Sequence, residues 1–173
     1  MPPIVKVPLK YGLIAGLLAT VLVVVFYYLV QHPFLIPVFL DFRIFIFGVF
    51  IFFTLKELRD FHYGGILYFW QGLLGSIIFT FAFALVASGC IAFFIAVEPD
   101  FLKSYITLSI EQLRALPPDI VERIGKEVYE RNLERMPATN GLDLAFLYFA
   151  QSFMISFFIS IILSVILRSQ PKT

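Results

Sequence analysis

Between Tyr63 and Val97 no acidic or basic side chain occurs, and Gly72, Ser76, Thr80, Ala84, Ser88, Ala92 and Ala96 recur at every fourth position. Small residues at that interval leave a shallow furrow along a helix, into which a second backbone can settle closely. Phe79, Phe81, Phe83, Phe93 and Phe94 stand between them, large side chains suited to lipid or to filling gaps between helices. A stretch of this length and character reads as a transmembrane helix. Composition agrees, since 60% of the 173 residues are hydrophobic and 14% charged, against about 25% charged in soluble domains. A net charge of +1 offers no excess for nucleic acid. The one cysteine, Cys90, lies inside the apolar helix and reads as a small packing residue, because apolar burial disfavours the thiolate.

Read in order, Met1 to Lys10 carries Lys6, Lys10 and three prolines, the pattern of an exposed cationic lead-in. The first span covers about residues 10–31. Its apolar run ends in Phe26, Tyr27 and Tyr28 rather than in a small-x-small cleavage site, so an uncleaved span with aromatic anchors is expected. Gly12 and Gly16 form a G-x-x-x-G pair, continued by Thr20. The connection from Gln31 to Pro37 holds His32, Pro33 and Pro37 and cannot continue the helix.

A second span over 38–58 has a clean apolar run only from Ile44 to Leu55 and must be extended at both ends to reach the far side. Asp41 and Arg43 then mark one interface, while Lys56 snorkels to the other. Rich in phenylalanine and with Gly48 alone as a small packing residue, this segment is expected to be peripheral and lipid-facing. Lys56, Arg59 and His62 fall in the charged turn that follows. It reads as a solvated connection, with a headgroup or partner contact as the functional alternative.

The third span covers about 66–97. Its length exceeds the bilayer core, so its end either tilts or emerges and needs cover. That cover is expected from Glu98 to Asn140, where Leu102, Ile106, Ile110 and Leu113 trace one amphipathic helix. Ile120, Val121, Ile124 and Val128 trace a second, after a capping box at Asp119 and Glu122. The charged pairs Glu122/Lys126, Arg123/Glu127, Lys126/Glu130 and Glu127/Arg131 line its wet face. The last span, about 142–167, repeats Ser152, Ser156, Ser160 and Ser164 at the interval of the furrow. Helix packing and a weakly polar pathway are both readings of such a row. Rows at this interval drift about 40° per step, so each meets one neighbour over only three or four positions.

The fold class is therefore an all-α membrane protein, with four transmembrane helices and two amphipathic extramembrane helices between spans three and four. Lys6, Lys10, Lys56, Arg59, Arg168 and Lys172 gather on the side of the termini. On the other side, eight acidic residues outnumber six basic ones over Glu98 to Asn140. Positive-inside reasoning puts the termini in the cytoplasm.

With Tyr11-Gly12-Leu13-Ile14-Ala15-Gly16, Lys56-Glu57-Leu58-Arg59, Gly64-Gly65 leading to Phe69 and Gly72, and Pro99-Asp100-Phe101, the chain resembles the bacterial domain-of-unknown-function 4199 family. The resemblance implies a bacterial inner membrane and a four-span layout, and supplies no catalytic residues. Catalytic, cofactor and metal motifs are lacking, so the expectation is a non-enzymatic protein without cofactor. It would sit in the lipid bilayer with a membrane-protein partner or as a homo-oligomer, as an accessory or scaffold subunit. The alternative is a small oligomeric transporter or lipid-handling protein with a serine-lined path.

Overall fold

A computed structural model describes residues 1–30 and 32–170, with the side chain of Val38 left aside. Gln31, the expected end of the first span, and Lys172, one of the basic residues used for orientation, lie outside the described residues. Among the described residues the chain is helical apart from its connections and one isolated antiparallel bridge, Leu67 to Ser169.

Three helices are long and apolar enough to cross a membrane: α1 (Pro3–Leu29), α3 (Phe69–Val97) and α7 (Gly141–Leu167). At 27, 29 and 27 residues they extend about 40, 44 and 40 Å. The first helix begins earlier than expected. Pro3 occupies its first turn, where the missing N–H costs nothing, and Val7 and Pro8 are buried, so the lysine-bearing lead-in is helix rather than tail. Buried apolar contact outweighs the interior proline.

Helix α3 lies between α1 and α7. Gly12 of α1 sits against Phe79, Ala82 and Phe83, and Gly16 against Phe83 and Val86, so α1 and α3 run parallel. Gly72 of α3 meets Ser164, Thr80 meets Ser156, and Gly141 meets Ile95, which makes α3 and α7 antiparallel. Parallel neighbours require the chain between them to return, and α2 (Phe42–Glu57) makes that return. It starts where Phe42 stacks on Phe26 and ends where Tyr11 donates to Glu57 at 2.7 Å. A π-helical turn, Leu58–His62, prolongs it, and Gly64 and Gly65 at φ +60° and +85° reverse the chain. Such angles suit glycine because no Cβ meets the backbone.

The expected peripheral position of α2 is corrected by its buried face. Ile46, Phe47, Ile51, Thr54 and Leu55 are buried, and Phe47 packs edge-on to Phe79 and Phe83 at 6.3 and 4.7 Å. Phe45 and Phe53 point outward. Close approach of α1 and α7 to α3 leaves a valley over α3, and one aromatic face fills it more completely than small residues would.

Beyond α3 the segment expected outside the membrane forms three α-helices instead of two: α4 (Pro99–Arg114), α5 (Pro118–Ile124) and α6 (Lys126–Arg135). Gly125 at φ +95° breaks the expected second helix, which separates Glu122 from Lys126 and Arg123 from Glu127 as helical pairs. Glu127–Arg131, wholly within α6, does form, at 2.6 Å. Pro117 caps α5 without a side-chain bond, so the Asp119 capping box is not made. Cover for the end of α3 comes from the first turn of α4: Phe101 is fully buried and meets Phe94 at 5.3 Å, while Phe93 remains exposed.

Candidate functional site

The small-residue rows converge on two seams. On the first, an added Cβ at Gly12 would lie 2.6 Å from the Phe79 carbonyl oxygen, and one at Gly16 2.9 Å from that of Phe83. Both are backbone contacts, the closest approach two helices can make. On the second, Gly72–Ser164 and Thr80–Ser156 set a register in which Ser76 lies level with Ser160 and Ala84 with Ser152. Ser76, Thr80, Ala84, Ser152, Ser156, Ser160 and Ser164 are all buried there. Ser76, Thr80 and Ser152 bond back to carbonyls of their own helices at 2.8–2.9 Å, and Thr80 and Ser156 bond to each other across the seam. The serine row therefore faces α3, and Ser152 is also reached by Arg43 of α2.

At Ser88 the row leaves the seam. Ser88, Gly89 and Ala92 instead line an open apolar groove of about 530 Å³ with Leu142, Ala145 and Phe149. Helical drift of about 40° per four residues accounts for this departure.

Sequence reading put Asp41 and Arg43 at an interface; the structure buries them, at 8% and 4% exposure. Asp41 caps α2 by accepting from the Arg43 backbone N–H at 2.8 Å, and its carboxylate takes Nε of the same arginine at 2.8–2.9 Å. Nη2 donates to Asp41 and, at 2.9 Å, to Gln151 Oε1. Nη1 reaches the Tyr148 carbonyl and Ser152 Oγ, both at 3.3 Å, and the guanidinium lies 4.3 Å from the centre of the Tyr148 ring. All five N–H directions of the guanidinium are thus used. The pair is neutral, fully bonded, and sits some 10–17 Å along α7 from its start, by the rise of the helix. It ties the beginning of α2 to α7. Beside it a cavity of about 20 Å³, bounded by Val23, Phe34, Asp41, Arg43 and Tyr148, has room for about one water.

Next to this knot, the α1–α2 connection inserts His32 among rings. The imidazole is 4% exposed and lies 4.5–6.0 Å from the centres of Phe101, Tyr105, Tyr27 and Phe34. Nε2 is 3.0 Å from the Phe101 carbonyl oxygen, which can only accept, so Nε2 donates and in the neutral ring Nδ1 is the bare acceptor. Among the described residues Nδ1 is buried without a hydrogen-bond partner. Burial lowers the His32 pKa, against a smaller opposing effect of the Phe101 hydrogen bond.

At the opposite end of the bundle, Lys56 is exposed and extends over the Phe52 ring at 5.9 Å. Arg59 pairs with Asp60 at 2.7 Å, which holds that carboxyl below its ordinary pKa. His62 is exposed on the π turn. Lys10 pairs with Glu57 at 3.0 Å. Of these groups Lys56, Glu57 and Asp60 rim a surface hollow of about 300 Å³ beside Tyr11, Phe53 and Phe61.

The family model described as Protein of unknown function (DUF4199) matches residues 10–169. The chain belongs to that family. The matched span takes in every helix-packing position named above, together with His32 and the Asp41–Arg43 knot. No curated protein and no solved structure matches this DUF4199 chain. Among its described residues no three His, Cys, Asp or Glu side chains come together as a metal site would require.

Sequence reasoning missed the knot and the histidine pocket in the DUF4199 protein. The available signals were an Asp-x-Arg immediately before an apolar run, a glutamine inside a span, and a histidine flanked by aromatic residues.

Proposed function

We propose that this protein is a non-enzymatic accessory or scaffold subunit of a larger assembly in the bacterial inner membrane, with both termini cytoplasmic. The observation that carries this reading is the open end of the α3 row. One surface of α3 takes α7 from Gly72 to Ala84 and then, unchanged in chemistry, runs into the groove at Ser88, Gly89 and Ala92. At Gly89 an added Cβ would meet nothing within 4 Å. Continuity with an interface already made by small residues favours one further transmembrane helix, from a partner subunit, as the occupant. Mild detergent extraction followed by mass analysis tests it. A stoichiometric membrane partner, lost on Gly89→Leu, is expected; a lone monomer or a self-assembled species unaffected by Gly89→Leu would overturn the reading.

The return segment supports a fourth crossing. Helix α2 alone spans about 24 Å against a core of about 30 Å, and the helical turns Val38–Leu40 and Leu58–His62 extend it at both ends. Cysteines introduced at exposed Phe39 and His62 should then label from opposite sides of the membrane. Labelling of both from one side would remove the fourth span.

A further inference from the structure

The pocket around His32 joins the segment from Glu98 to Asn140 to the bundle, and it does so through an imidazole, the side chain whose ordinary pKa lies nearest neutrality. The first turn of α4 touches the α1–α2 connection at this point: the Nε2–H of His32 holds the Phe101 carbonyl, and the Phe101 ring lies against both His32 and Tyr27. Tyr28 and Glu98 meet alongside at 3.4 Å. The surroundings offer a second proton on the ring almost nothing. From α1 it faces the Tyr27 phenol, from α4 the Tyr105 phenol, and from its own connection the Phe34 ring. Neither carboxylate nor cation bonds to it among the described residues. Glu98 is engaged by Tyr28, and the charges of Asp41 and Arg43 are paired with each other.

We propose that His32 is a proton-sensitive latch: neutral, it fastens the start of α4 to the bundle, and protonation at Nδ1 releases the segment from Glu98 to Asn140. The reason is the buried, unpartnered Nδ1. A proton there creates a charge and a donor with no acceptor inside an apolar pocket, and the ring gains more by turning into water than the single bond to Phe101 returns. Aromatic faces attract a cation, but that attraction is present in the same pocket and does not supply the missing hydrogen bond. The depressed pKa of His32 points the same way. The segment attached through it contributes few fully buried side chains beyond Phe101 and Ser109, so it can loosen while the bundle stays folded.

Hydrogen exchange of the full chain in lipid nanodiscs, corrected for the intrinsic pH dependence of amide exchange, tests the latch. Between pH 7.5 and pH 5.0 exchange over residues 98–140 should rise about tenfold while α3 and α7 stay protected. His32→Gln keeps an N–H donor without a titration and should abolish the rise. His62→Gln, at an exposed position on the opposite end, should leave it intact. Nitrogen NMR of the two histidines in the unmodified protein gives a measurement independent of any variant. His32 should titrate below the ordinary imidazole value of about 6.5 and in step with the exchange change. An ordinary His32 titration, a flat exchange profile, or an undiminished rise in His32→Gln would each overturn the latch.

Discussion

Gly72 of α3 and Ser164 of α7 approach so closely that a Cβ on the glycine would stand 2.9 Å from the serine Oγ and 3.1 Å from its Cβ. That contact begins a seam lined by glycine, alanine, serine and threonine, whose small side chains let the two helices approach closely. The consequences can be measured one position at a time.

Gly12→Ala brings a methyl against the Phe79 carbonyl oxygen, a backbone atom that cannot swing aside. A loss of about 1–3 kcal/mol is expected from overpacking, read as reversible unfolding in mixed micelles. Gly48→Ala, where an added Cβ meets nothing within 4 Å, should be neutral or slightly stabilising. Equal losses at both positions would remove the case for a close α1–α3 approach.

Across the α3–α7 seam, Thr80→Val breaks the bond to Ser156 but keeps the volume. Intramembrane hydrogen bonds average about 0.6 kcal/mol, so the expected loss is below 1.5 kcal/mol. Ser156→Leu, which must push the helices apart, should cost several times more. If the leucine variant unfolds no earlier than the valine one, Ser156 does not face α3.

Removing one partner of the buried pair leaves the other charged without compensation. Asp41→Asn or Arg43→Met alone should cost about 3–5 kcal/mol, and the double change distinctly less than the sum. Thermal unfolding of the four members of the cycle measures the coupling. Additive losses would mean that the two side chains do not meet.

Stability should also fall on acidification. Burial lowers the folded-state pKa of His32, so as pH drops below the ordinary value of about 6.5 the unfolded chain takes up the proton first. The unfolded state then holds more protons, and native stability declines until the pH passes the folded pKa. Above about 6.5 both states are neutral at this residue and its contribution is flat. His32→Gln should flatten the profile between pH 6.5 and 5; an unchanged slope would assign the acid sensitivity to other groups.

The broad membrane architecture could be read before the fold was seen, because it depends on local quantities. Apolar run length marks α1, α3 and α7 as long enough to cross a bilayer, and a four-residue interval puts Gly72, Ser76, Thr80 and Ala84 on one line of a helix whatever surrounds it. The departure of the row at Ser88 follows from the same geometry. Positive φ at Gly125 is less legible: a lone glycine inside a helical pattern is tolerated at a cost of about 1 kcal/mol, so it does not by itself mark a break.

Other features depend on distances between residues far apart in the chain. Phe47 goes inward because α1 and α7 both close on α3 and leave a valley of its size above Phe79 and Phe83; its own neighbours, Phe45 and Phe53, face out. Asp41 and Arg43 look like interface charges in sequence, since a charge next to an apolar run is cheapest in water. They can be buried only because Gln151, Ser152 and the Tyr148 carbonyl on α7 supply the acceptors that water would. His32 acquires its pocket from Phe101 and Tyr105, some seventy positions later. Periodicity is a property of a segment, whereas burial and hydrogen-bond satisfaction belong to pairs that only the folded chain brings together.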